Sequence, residues 1–139
     1  MPVTPSPATS PDPNDAAPAT TVDDTTSGCQ DPGMYMLRFD MRAPDTASVP
    51  AAELYRAAIE MAEWGEQHGC ITVLISEHHT SPDGYLPSPL VLASAIAART
   101  TTVPIVVGAL LLNFYDPVKL AEDMAVLDIV SLGRVAYII

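Results

Sequence analysis

From Met34 onward the chain alternates short, β-branched apolar runs with segments of helical period, and this constrains the fold more than anything else in the sequence. Ile71–Ser76 (ITVLIS) and Ile105–Leu112 (IVVGALLL) are apolar without strict alternation, the pattern of strands covered on both faces. Tyr35–Met41 (YMLRFDM) is a shorter run of the same kind, and Val135–Ile139 opens a fourth. Between them lie three helical stretches. In Ala51–His68, Leu54, Ala58, Met61, Ala62 and Gly65 share one face, while Glu53, Arg56, Glu60, Glu63 and Glu66 populate the other. Gly69 stands where a left-handed turn would end that helix. Leu90–Arg99 is a small-residue apolar helix preceded by Ser88-Pro89, and Val118–Leu132 follows Asp116-Pro117 and ends at Gly133. Both openings suit a capping side chain with Pro in the first helical position.

The order is βαβαβαβ, which predicts an α/β domain with a parallel sheet and right-handed crossovers. Two architectures begin this way, the doubly wound sheet and the (β/α) barrel, and periodicity leaves the choice open. No GxGxxG or GxxxxGK[ST] follows the first strand, which argues against dinucleotide and nucleotide binding there.

Residues 1–33 are built differently. Half of the 14 prolines lie there among Thr, Ser and Ala, with Val3 and Val22 as the only large aliphatics. Such a stretch buries too little apolar surface to offset its ordering entropy. It is expected to be a disordered acidic extension, or a product of a start placed upstream of Met34 or Met36. It carries five of the formal −11 charges. That acidity excludes nucleic acid, which needs Lys/Arg stripes. No apolar run approaches the roughly 20 residues of a membrane helix, and no secretory signal is visible. Cys29 and Cys70 form neither a disulfide framework nor a metal spacing, so a reducing, cytoplasmic setting is expected.

Chemistry in such folds gathers at the C-terminal ends of strands. Glu77-His78-His79 stands at the end of the second. An imidazole there is suited to acid–base work or to hydrogen bonding with a bound ring, although an isolated His pair reads equally as packing. Shared metal binding is disfavoured, because adjacent residues on a strand point to opposite faces.

Taken with its surroundings the motif is more specific. Glu77–Leu92 (EHHTSPDGYLPSPLVL), Gly108–Leu112 with Asp116–Asp123, and Val126-Leu127-Asp128 with Ser131, Gly133 and Arg134 resemble successive segments of the luciferase-like flavin-dependent monooxygenases, in order and with similar spacing. The resemblance covers about Met36 to Ile139 and implies the first half of a (β/α)8 TIM barrel in residues 34–139. It implies oxidation of a small organic substrate with reduced FMN and O2, or with the deazaflavin F420. His78 would be a catalytic histidine near the flavin ring. Gly108 and Ala109 would be the small cofactor-binding pair, joined by a non-prolyl cis peptide behind the ring, where little beyond a Cβ fits. Asp128 and Arg134 would tie helix and barrel base together.

A barrel of this type needs roughly 250 residues, about twice the length of this domain. The expectation is therefore a fragment that binds flavin weakly and does not turn over substrate alone. The alternatives are a non-catalytic half-barrel that pairs with another chain or copy, and a partial gene product without function.

Overall fold

The computed structural model describes residues 33–139, so the expectation for the Pro-rich extension lies outside the described residues. Four strands, β1 (Tyr35–Phe39), β2 (Cys70–Ile75), β3 (Ile105–Gly108) and β4 (Val135–Ile138), alternate with helices α1 (Ala51–Gln67), α2 (Pro89–Arg99) and α3 (Pro117–Ser131). All neighbouring strands are parallel and the sheet order is β1-β2-β3-β4. α1 packs on β1 and β2, α2 on β3 and α3 on β4, and α2 lies between α1 and α3. The helices therefore form one layer on one face of the sheet, as a barrel wall requires and a doubly wound sheet does not.

Side chains alternate across a strand, so one set faces the helices. Val73, Ile75, Ile105 and Val107 are fully buried there, with Ile96 and Leu127 from the helical layer. The register places Leu74, Val106 and Ala136 side by side on the other face, with Gly108 opposite Ile138. That face is open among the described residues: Leu74, Val106 and Gly108 are half-buried, and Met36 and Ile138 are exposed. The expectation of strands covered on both faces is corrected accordingly. The apolar character of the second face is real, but no second layer lies over it here.

Two strands are shorter than their apolar runs. β1 stops at Phe39, because Met41 turns into the left-handed region (φ 60°) while still burying its side chain. β3 stops at Gly108 rather than Leu112, and Leu112–Phe114 coils into a 3-10 turn. Leu110 remains buried, so the apolar run continues after the ladder has ended.

The helix ends divide similarly. Asp116 caps α3, its carboxylate accepting from the Val118 and Lys119 N–H groups at 3.0 Å each. Ser88 occupies the equivalent position before α2, but its side chain makes no capping bond. α1 ends as expected, with Gly69 at φ 87°. α3 turns left-handed one residue early, at Leu132 (φ 57°), before Gly133 (φ 77°). Gly65 sits inside α1 because a Cβ there would lie 2.9 Å from Leu37 Cδ1 and 3.1 Å from Cys70 Cβ. The missing side chain lets the helix approach the sheet.

Two polar clusters fasten the end of the sheet where the strands begin. Glu66, from the last turn of α1, accepts from the Thr101, Thr102 and Val103 N–H groups and both threonine hydroxyls. Burial pushes its carboxyl up, but these donors outweigh that effect and hold its pKa at about 2. Arg134, just before β4, donates to the carbonyls of Ala97, Thr100, Val103 and Ser131 and to the Thr100 hydroxyl. The implied base-fastening role fits Arg134. Asp128 contributes through its backbone, its carbonyl accepting from Gly133 N–H and the Ser131 hydroxyl, while its residue is exposed.

Candidate functional site

The opposite end of the sheet gathers the polar residues that the strand ends carry. After β1 comes Asp40, whose carboxylate accepts from Ser76 Oγ at 3.0 Å and Arg38 Nε at 3.1 Å. The β2–α2 loop folds back over these residues. Leu86, fully buried, donates its N–H to the Asp40 carbonyl at 3.1 Å and accepts from the His78 N–H at 2.9 Å. Gly84 (φ 71°) provides the left-handed turn this return needs.

The adjacent histidines separate, as the strand argument anticipates. His78 is half-buried, and its ring stacks on Tyr85 with centroids 3.5 Å apart. The Arg42 guanidinium lies 5.2 Å from the same Tyr85 ring and pairs with Asp83 at 2.6 Å. The Ser81 hydroxyl, and then Arg42, hold the Asp83 carboxyl below its ordinary value. His79 turns the other way. Its Nε2 lies 2.8 Å from Glu77 Oε1, its ring packs against Phe114, and it lines a cavity with Leu90, Val91 and Asp123 of α2 and α3.

Gly108 and Ala109 stand at the end of β3, and the peptide between them is cis. Ala109 is exposed. A Cβ on Gly108 would lie 3.1–3.5 Å from Ile138 side-chain atoms, which places the bare glycine on the open, apolar face. His78 and the Gly108–Ala109 pair thus occupy the mouths of neighbouring strands, with no ring contact or hydrogen bond joining them among the described residues. The connection runs through a residue that sequence reading had only as part of a motif. The Glu77 side chain is fully buried and accepts from Leu111 N–H at 2.7 Å and Tyr115 Oη at 2.8 Å, besides its bond to His79. A glutamate directly after a buried strand was the available signal. Tyr85, in the loop, offered none.

The arrangement can accept a flat, largely apolar group. Leu74, Val106 and Ile138 give it a surface, Gly108 and Ala109 keep that surface low, and an imidazole stands at the neighbouring strand end. No group of three His, Cys, Asp or Glu side chains converges as a metal site among the described residues.

Comparison with known proteins agrees with the fold. The sequence profile of the luciferase-like monooxygenases matches residues 34–139. The oxygenase component of a flavin-dependent trigonelline monooxygenase from Acinetobacter baylyi is 30% identical over 82 residues, which are 59% of this chain and 23% of that protein. A monooxygenase from Streptomyces bottropensis superposes with a TM-score of 0.67 at 33% identity, covering 76% of this chain and 32% of that one. The oxygenating constituent of 3,6-diketocamphane monooxygenase from Pseudomonas putida, in complex with FMN, gives 0.66 at 25% identity over 75% and 28%. The chain therefore spans about a quarter of the curated relatives it matches, 23% and 24% in two of them.

Proposed function

Since the chain belongs to the luciferase-like monooxygenase family, we propose that residues 34–139 supply the strand-end half of a site where reduced FMN and O2 oxidise an organic substrate. The observation that carries this reading is the apolar surface at the end of β3, where Gly108 packs against Ile138 and Ala109 is exposed, beside the imidazole-bearing end of β2. A bound reduced flavin would bring the two-electron chemistry and the reaction with O2. The chain's own part is to receive the ring and place one titratable group near it. Gly108 and Ala109 let the ring approach backbone. His78, oriented by Tyr85 and by its N–H bond to Leu86, holds or gives a proton at an imidazole nitrogen.

FMN is the preferred cofactor because the diketocamphane enzyme holds it. F420 shares the tricyclic ring shape and would use the same surface. The activity belongs to a completed site, and this chain supplies about a quarter of the relatives' length. A free, buried Cys70 thiol supports a reducing, cytoplasmic setting. A second reading, a half-barrel that completes its sheet with another chain, is supported by exposed Met36 and Ile138 on the open face.

Titration with FMN and with riboflavin, followed by flavin fluorescence, tests the assignment. The described residues offer a ring surface, while Arg38 and Arg42 are engaged by Asp40 and Asp83. Both ligands should bind with affinities weaker than about micromolar and within about threefold of each other. Binding of neither contradicts the site, and a preference for FMN above about 30-fold contradicts a ring-only contact.

A further inference from the structure

We infer that Glu77 is a positioning residue for the proposed flavin site, holding the Gly108–Leu111 segment in place against the turn that carries His78. The inference rests on the flavin reading for its consequence, but its geometry stands independently. The ladder between β2 and β3 pairs Val73 with Ile105, Leu74 with Val106 and Ile75 with Val107, and ends there. Past Val107 the residue pairs of the third strand continue on the β4 side, where Gly108 pairs with Ile138 and Leu110 N–H donates to the Ile138 carbonyl at 2.7 Å.

On the β2 side, residues 109–111 are reached, among the described residues, by the hydrogen bond from Leu111 N–H to Glu77 Oε2, at 2.7 Å. Leu111 follows Ala109 by two residues, and Glu77 directly precedes His78. One buried carboxylate thus spans the gap that the sheet leaves unbridged. Its other oxygen is fixed by Tyr115 Oη and His79 Nε2, both at 2.8 Å. Burial, and then the Glu77 carboxylate, push the Tyr115 hydroxyl well above its ordinary value, so it remains a donor. A carboxylate suits these partners because it only accepts, and three donors converge on it. A glutamine would aim donor hydrogens at one side of the cluster.

A purely structural role would also destabilise the protein on substitution, so a second multiply bonded carboxylate serves as the control. Glu66 has more donors, three N–H groups and two hydroxyls, but lies at the other end of the sheet. In the full 139-residue chain, Glu77→Gln and Glu66→Gln are compared by urea unfolding, backbone amide spectra and FMN titration. Both should lower stability. Only Glu77→Gln should move the Gly108, Ala109 and His78 amide resonances, and it should weaken FMN on the order of tenfold, with Glu66→Gln within about twofold of the parent. Resonance changes at those three residues in both variants, or in neither, would overturn the inference. If the parent chain binds no flavin, the proposed function fails, while the resonance comparison still decides the role of Glu77. If Glu77→Gln does not fold, amide exchange in the parent chain decides it. Leu111 N–H lies outside the ladder yet should exchange as slowly as Val107, and exchange at the rate of an open loop overturns the tether.

Discussion

Replacing Arg134 with methionine should cost about 3–5 kcal/mol of folding stability, the largest loss expected from any single polar side chain described here. The guanidinium serves four carbonyls and one hydroxyl at once, all between 2.6 and 3.0 Å. Ala97 in the last turn of α2 and its capping residue Thr100 present carbonyls that have no partner within the helix. A cation there also complements the negative end of the helix. Methionine fills similar volume but leaves those acceptors buried and unpaired. Lysine retains the charge without the planar fork, so Arg134→Lys should lose about half as much. Urea unfolding reads both values. A loss below about 1 kcal/mol for Arg134→Met would show that water replaces the guanidinium without penalty.

A second large effect should appear at the other end of the sheet, in binding rather than stability. Ala109 is exposed, so a larger side chain there displaces no packed neighbour. Ala109→Leu should change stability by no more than about 0.5 kcal/mol. The same isobutyl group would stand on the surface that the flavin ring is proposed to occupy. Loss of close approach over a planar ring should weaken FMN by at least about 30-fold, whereas Ala109→Gly should stay within about threefold. Fluorescence titration of both variants beside the parent provides the comparison. Equal affinities for parent and Ala109→Leu would move the ring away from β3.

These two sites show which parts of the structure can be read from residues alone. The βα order, the helix faces and the Asp116 cap follow from period and chemistry, because each depends on residues within a few positions of one another. The end of β3 does not. Leu110 and Leu111 are as apolar as Ile105, yet the ladder is a matter of hydrogen bonding, and its last rung cannot be seen in hydropathy. Nor does hydropathy separate an apolar residue buried by the chain itself, such as Val107, from one left on an open face, such as Ile138. Ser88 and Asp116 have the same local sequence logic, and only Asp116 makes the cap, because side-chain rotation is settled by the surroundings.

At the site, His78, Gly108 and Ala109 were named through resemblance, which supplied roles that spacing could not. For Glu77 the sequence offers its place after a buried strand but not its partners. Its partners lie 34 and 38 residues further along, and one of them is a backbone amide that any residue at Leu111 would present. Arg134 was legible as a fastening residue, although its acceptors are all main-chain carbonyls and one threonine hydroxyl. The resemblance carried that assignment as well.

Whether the ends of β2 and β3 on the open face receive a flavin ring is decided by following backbone amide resonances of the chain during FMN addition. The largest changes should fall on His78, Gly108 and Ala109, with smaller ones at Leu74, Val106 and Ile138. Changes centred instead on Val91, Phe114 and Asp123, along the groove that His79 faces between α2 and α3, would contradict that placement.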